Sequence, residues 1–553
     1  MKVVDAIAQI LKREGVEFIV GYPVNPLFEA AAKQDIRTIV VRQERTAAHI
    51  ADAYARLNSG NKAGVFITQH GPGSENSFGG VAQAYSESIP MLVIPMGYPR
   101  SQMNVYPNFN SSLNYKHVTK WCEPLIVSKT VSEVMRRAFA QMYNGRPGPV
   151  LIEVPMDVFA EDIGDNLDYT PSFSTRSGPD PADIKTVADV LSNAKNPVLY
   201  AGQGVHFAEA WDELRELAEL LSIPVTTSLQ GKSAFPENHP LALGSGGRAI
   251  PQPVHEFLSE ADVIFGIGCS FTSSFFAIDF SSRGYLKPDS AKTVVHSTLD
   301  PTDLNKDIEV QHPLVGDAKL TLQALLAELR NTNSATAGAR RKTVPEKIQT
   351  IKKSWRADWA PKLTSTEAPI NPYRVIHDLM ATVDVSQTII THDAGSPRDQ
   401  LSPFWESITP LSYLGWGKTT QLGYGLGLAM GAKLSYPDRL CINVWGDAAI
   451  GFTGMDFETA VRERIPILSI LFNNFSMACE IPIMQVSTKK YGSTEISGHY
   501  ADMAKAFGGY GERVEEPADI VNAIKRGIEA TEDGVPALLE FITAKEVSYS
   551  LFS

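Results

Sequence analysis

The chain has 553 residues, too many for one hydrophobic core and enough for about three domains at roughly 150–200 residues each. Its 62 acidic residues outnumber 50 basic ones for a formal charge of -12, which argues against a nucleic-acid surface, because a phosphate backbone calls for a basic face. Four scattered cysteines without a CxxC pair suggest neither a disulfide framework nor a zinc site, and no run approaches roughly 18 apolar residues, so the expectation is a soluble cytoplasmic protein acting on a small molecule, with no membrane and no nucleic-acid partner.

The opening MKVVDAIAQILKREGVEFIVGYP reads as an amphipathic helix running into a strand, without the apolar core of a signal peptide. Strand-like apolar runs follow at 36–44, 62–73, 89–96 and 148–155, separated by helix-period sequence. Buried strands alternating with helices predict a parallel sheet covered on both faces, here a first domain over 1–167. DYTPSFSTRSGPDPAD (168–183) reads as a linker. The pattern restarts at NPVLYAGQGV (196–205) and gives a second domain over 183–330. The stretch 331–359 has a flexible front and a basic helical back carrying Arg340, Arg341, Lys342, Lys347, Lys352 and Lys353. A third block over 370–553 runs through QTIITHDAG, RLCINVWGDA, IPILSILFNN and PALLEFITA. The expected fold class is α/β, three consecutive doubly wound parallel-sheet domains.

The third block contains GDAAIGFTGMDFETAVRERIPILSILFNN (446–474), which sets Asp447 and Asn474 just beyond two neighbouring strands. Ligands of open parallel sheets sit beyond the carboxyl ends of the strands. A carboxylate and a carboxamide oxygen suit Mg²⁺ or Ca²⁺, and Mg²⁺ completes its shell with water and substrate phosphates. The pattern therefore asks for a diphosphate, which Gly446, Ala448 and Ala449 would let approach the backbone. The plainer reading is a strand, a loop and a helix with a capping Asp.

The same stretch resembles the thiamine-diphosphate binding motif, and nearly the whole chain is similar to the group of acetolactate synthase, benzoylformate decarboxylase and 2-hydroxyacyl-CoA lyase. The resemblance implies thiamine diphosphate and Mg²⁺ as cofactors, with Asp447, Asn474 and the carbonyl of Ser476 as metal ligands. Ala448 stands where the group has the second glycine of GDG, which costs little if φ is negative there. Glu44, in VVRQERTAAHIADAYAR, matches the catalytic glutamate that exchanges a proton with the cofactor's pyrimidine ring; otherwise it is a helix-capping residue. KTTQLGYGLGLAMGAK puts Leu422 at the bulky apolar position that bends the cofactor, and Pro23, Asn76, Gly395 and Gln421 complete the implied cofactor contacts. TQHGPGSENSFGG resembles the group's Gly-Pro-Gly loop but carries Gln69 and His70 where small hydroxyl residues are usual. Either side chain could relay a proton, His70 being suited to neutral pH, or simply fix the loop.

Two segments depart from acetolactate synthase, and both fall where substrate is selected. YPNFNSSLNYKHVTKW (106–121) replaces an Ala-Phe-Gln-Glu stretch, and 475–500 replaces a Met-Val-x-Gln-Trp helix while adding Glu480 and Glu495. Glu495, in the small-residue context GSTEISG, is the catalytic candidate of a mobile lid; Glu480 is expected on a solvated surface. In the central domain Thr298 stands where an FAD-binding aspartate is usual, so FAD or ADP has room there without being predicted. The implied function is thiamine-diphosphate- and Mg²⁺-dependent C–C bond cleavage or formation on a 2-oxo acid, by a decarboxylase or carboligase of lyase or transferase type. The alternative is a 2-hydroxyacyl-CoA lyase giving a carbonyl compound and formyl-CoA, with the basic run and the tail KEVSYSLFS meeting CoA; a non-catalytic paralogue is the third. Because Glu44 and the metal motif lie in different domains, which in this group meet across subunits, a homo-oligomer is expected, a dimer or a dimer of dimers.

Overall fold

The computed structural model describes residues 1–287, 290–330 and 335–552, and within 335–341 only the side chains of Gly338 and Arg340. It contains three six-stranded sheets, each wholly parallel and flanked by helices. In spatial order the first runs Arg37–Val40, Phe18–Gly21, Gly64–Thr68, Met91–Gly97, Val150–Pro155, Trp121–Pro124. The third repeats that order as Tyr413–Leu414, Thr388–His392, Leu440–Gly446, Leu468–Asn473, Ala537–Ile542, Tyr510–Val514. The central sheet is wound differently: His312–Val315, Thr293–Thr298, Val263–Ile267, Pro197–Ala201, Val225–Ser228, Ala242–Gly246. The central strands are almost uninterrupted apolar runs because both faces of each sheet are covered, and Met91–Gly97 and Val150–Pro155 are buried throughout. Among the described residues no helix is long and apolar enough to cross a membrane.

The first and third domains share one core, in which the helix Glu44–Leu57 packs along Tyr424–Ser435. Glycines let the two backbones nearly touch: a Cβ at Gly431 would stand 2.4 Å from the Ile50 carbonyl oxygen and 2.7 Å from Ala53 Cβ. Glu87, buried, ties all three domains together. Its Oε1 accepts from Gln83 Nε2 at 3.2 Å, from the central domain's Gln230 Nε2 at 3.4 Å, and from the backbone N–H of Gly417 and Lys418 at 2.9 and 2.8 Å.

The front of 331–359, expected to be flexible, lies partly outside the described residues, as does the side chain of Arg341. The helix Ala335–Leu363 confirms the helical back, but much of its charge is committed. Arg340 is buried on the carbonyls of Leu221 and Ala194, Lys347 pairs with Glu260, and Lys352 donates to the carbonyl of Glu237. The terminal segment is anchored too. Tyr373 Oη donates to the Ser548 carbonyl at 2.7 Å, Ser550 Oγ accepts from Trp355 Nε1 at 3.0 Å and donates to the Ile250 carbonyl at 2.7 Å, and the Phe552 ring stacks on His255.

Candidate active site

In the third sheet, strands Thr388–His392 and Leu440–Gly446 are neighbours, yet the strand that follows the first in sequence, Tyr413–Leu414, lies on its other side. Where strand order reverses in this way, the loops leaving the two carboxyl ends part to opposite faces and open a crevice. A cavity of about 100 Å³ occupies it, walled by Gly395 and Ser396 from one loop, Asp447 to Ala449 from the other, Asn474 and Ser476 to Glu480 from the next strand end, and Leu422. Gly446 is extended at φ −105° and Ala448 lies inside the helix Asp447–Thr453, so alanine meets no conformational obstacle there.

Asp447 is buried. Its Oδ2 accepts from the N–H groups of Asn474 and Ser476 at 3.1 Å each, and its Oδ1 from Ala448 N at 2.9 Å. Burial pushes its carboxyl above the usual range, and these backbone bonds pull it back. The side-chain oxygen of Asn474 is buried without any partner, as is Ser476 Oγ. Leaving a polar atom unsatisfied costs about 1–3 kcal/mol, which a ligand at this spot would recover. Among the described residues no three His, Cys, Asp or Glu side chains converge. A cation beside Asp447 would thus meet one carboxylate and neutral oxygens, the sparse set Mg²⁺ uses when phosphate and water complete its shell.

The first domain repeats the strand reversal between Phe18–Gly21 and Gly64–Thr68. Pro23 sits in its exposed first loop between Tyr22 and Val24. Asn25 pins that loop: its Nδ2 donates to the carbonyls of Thr68 and Ile94 at 3.1 Å each, and its Oδ1 accepts from Leu27 N at 3.0 Å. Sequence reasoning missed Asn25; the one available signal was an Asn just ahead of a helix start. Glu44 opens the helix Glu44–Leu57, is 5% exposed, and accepts from Asn76 Nδ2 at 3.2 Å through Oε2. Gly73 fills the space between Glu44 and Gln69, since a Cβ there would lie 3.2 Å from Glu44 Oε1 and 2.8 Å from Gln69 Cγ. The next ring, His70, packs edge-on against Tyr98 at 4.7 Å with its Nδ1 buried and unpaired. Glu44, Gln69 and Asn76 therefore form one group, with His70 at its margin.

Three family profiles match the chain in succession: the thiamine pyrophosphate enzyme N-terminal TPP binding domain over 1–120, the central domain over 184–325, and the C-terminal TPP binding domain over 393–541. A probable acetolactate synthase large subunit of Methanococcus aeolicus is 31% identical over 97% of this chain and 91% of its own. The chain belongs to the thiamine pyrophosphate enzymes, in the acetolactate synthase group. Its counterpart from Methanocaldococcus jannaschii is 30% identical over 98% and 92%. Acetolactate synthase isozyme 3 large subunit of Escherichia coli is 27% identical over 95% and 92%.

As a thiamine-pyrophosphate-dependent enzyme the protein has a cavity whose donor set fits a metal-bound diphosphate, since the Asn474 oxygen beside Asp447 is left without a partner. Two expected contacts are placed otherwise. The Gln421 side chain does not line the cavity: its Oε1 meets His49 Nε2 at 3.1 Å in the seam between the first and third domains. Glu495 is exposed, with its carboxylate folded towards Gly492, although its backbone bridges to Ser476. Glu480, expected on a solvated surface, lines the cavity instead. Glu480 ends the tight turn at 478–480 on the cavity wall, whereas Glu495, paired through its backbone with Ser476, leaves its side chain exposed. The central domain has its own strand reversal, between Pro197–Ala201 and Val263–Ile267, and a separate cavity of about 300 Å³ there reaches Gly204, Gly268, Asp300 and Lys418. Thr298 donates to Asp303 Oδ2 at 3.3 Å, and Asp303 pairs with Arg146 and Lys306.

Proposed function

We propose that this enzyme decarboxylates a 2-oxo acid and joins the resulting acyl unit to a second carbonyl compound, using thiamine diphosphate and Mg²⁺ in the cytoplasm. The relatives' names support the carboligase chemistry. The observation that carries the metal assignment is the buried, unpartnered oxygen of Asn474 beside Asp447. Four free cysteines, one of them exposed, accord with a reducing compartment.

When bound, thiamine diphosphate supplies the carbon nucleophile and the electron sink for loss of CO₂. Asp447, Asn474 and the Ser476 carbonyl would hold the cation, which would in turn anchor the diphosphate. Gly395 and Leu422 line the same cavity and would pack against the cofactor. Glu44, with Oε2 engaged by Asn76, takes and returns a proton through Oε1. Gln69 and His70 lie on the same side and orient the substrate's oxygen. Glu480 is the carboxyl facing the substrate side of the cavity, where it donates a proton to the oxygen that becomes a hydroxyl.

The cavity wall comes wholly from the third domain and its volume is a fraction of what a cofactor of this size needs, while Glu44 belongs to the first. These observations support a homo-oligomer in which one subunit's Glu44 completes another's cavity. The 2-hydroxyacyl-CoA lyase reading loses support, because Arg340, Lys347 and Lys352 are engaged within the fold and the tail is fastened down. The test is a panel of 2-oxo acids and 2-hydroxyacyl-CoAs with thiamine diphosphate, following CO₂ release and products. CO₂ and a carboligation product from a 2-oxo acid, abolished by EDTA and restored by Mg²⁺, are expected; formyl-CoA instead would overturn the reading.

A further inference from the structure

We propose that Asp393 is a positioning residue that clamps the two walls of the cofactor cavity together, so that cofactor affinity depends on its charge. The inference rests on the thiamine-diphosphate reading of that cavity. Asp393 directly follows the strand Thr388–His392 and is wholly buried. Its Oδ1 accepts from Ala394 N at 2.8 Å and from Gly423 N at 2.9 Å, and its Oδ2 from Gly425 N at 2.9 Å. One of these donors precedes Gly395 and the other two follow Leu422 at the start of the helix Tyr424–Ser435, so a single carboxylate joins both sides of the cavity. The charge is balanced by backbone dipoles, not by a cation. A protonated carboxyl would set its own O–H against one of three N–H donors, and at least one bond of the clamp would fail.

Burial pushes the Asp393 carboxyl up to about 6 from 3.8, against the pull of its three backbone bonds. The surrounding groups keep fixed states. His392 at the end of that strand is driven down to about 3 by burial and stays neutral. Arg398 pairs with Asp399 on the following helix, Arg56 pairs with Asp52 on Glu44–Leu57, Tyr424 donates to Asp52, and Asp447 at the neighbouring strand end is held by backbone N–H groups. Since the folded value lies above the unfolded one, acidification from 6 towards 3.8 favours the folded chain through this group, even as it weakens the clamp. Loss of cofactor is therefore separable from loss of fold.

The experiment is calorimetric titration of the metal-stripped apoenzyme with thiamine diphosphate and Mg²⁺ at about pH 5, 6 and 7.5, for wild type and Asp393→Asn, with melting temperatures alongside. Taking the ratio of the two Kd values cancels the titration of the diphosphate itself. The ratio should be roughly tenfold or more at pH 7.5, for a lost bond to a charged group. It should fall towards one near pH 5, where the wild-type carboxyl is about nine-tenths protonated and its affinity reduced accordingly. A ratio of one at pH 7.5, or one that does not change with pH, overturns the proposal. Gly425→Ala tests the clamp from the other side, because its Cβ would stand 3.2 Å from Asp393 Oδ2 and 2.9 Å from the His392 carbonyl oxygen. It should weaken binding at pH 7.5, and wild-type affinity would likewise overturn the clamp. Wild type that binds no cofactor at any pH would instead sink the thiamine-diphosphate reading itself.

Discussion

Glu44 sits at the first turn of a helix with one oxygen bonded to Asn76 and the other facing a glycine. Glu44→Gln keeps size and one acceptor but cannot exchange a proton. It should bind thiamine diphosphate normally while hydrogen exchange at the cofactor's C2 carbon, followed by NMR in D₂O, slows by roughly 10²–10⁴. Wild-type exchange would remove Glu44 from proton transfer. The two carboxylates of 475–500 divide the same way. Glu480→Gln should lower kcat by about 10² or more with KM little changed, whereas Glu495→Gln should be close to silent. The reverse result would mean that the segment turns over in the working enzyme and brings Glu495 inward. The places of Asp447 and Asn474 just beyond two neighbouring strand ends, and of Glu44 at a strand-to-helix junction, were legible in the sequence because apolar runs mark where the strands stop. Gln421, Glu480 and Glu495 were not, because side-chain direction within a short irregular segment depends on turns that no periodicity announces.

The seam between Glu44–Leu57 and Tyr424–Ser435 joins the first and third domains, and its glycines have an energetic consequence. Gly431→Ala cannot be absorbed by a side-chain shift, since the nearest atom is the Ile50 backbone oxygen. The helices must part, at a cost of about 1–3 kcal/mol, which denaturant titration would register as a lower midpoint. An unchanged midpoint would show that the seam yields freely. The strands and their parallel order were legible, as buried sheets leave unbroken apolar runs. The seam was not: a glycine in a helix announces a close approach without naming the partner.

For the molecule as a whole, the placement of Glu44 in the first domain and Asp447 in the third, brought together across subunits in the proposed oligomer, makes a prediction that needs no structure of that oligomer. Glu44→Gln and Asp447→Ala should each be inactive alone. Mixed, dissociated and reassociated, random pairing should restore up to about a quarter of wild-type activity, because half of the dimers are mixed and one of their two sites is intact. No recovery from a mixture that demonstrably exchanges subunits would place both halves of the site in one chain. The three-domain layout was visible from the recurring strand pattern, but the matching strand orders of the first and third domains, against the different winding of the central one, were not; sequence periodicity carries no record of which strands are neighbours.

Glu87 collects donors from all three domains on one oxygen, and this divides the protein into a part that can change and a part that cannot. Any substitution there disturbs three packing surfaces at once, so variation in the chemistry of the substrate has to be written elsewhere. The stretch Gln485–Tyr491 is free for that purpose: unlike Ser476 and Glu480 it holds no residue of the proposed site, and its short helix buries none of its side chains. A lineage, or a designer, seeking a new acceptor would rewrite those residues first and find the junction at Glu87 already fixed.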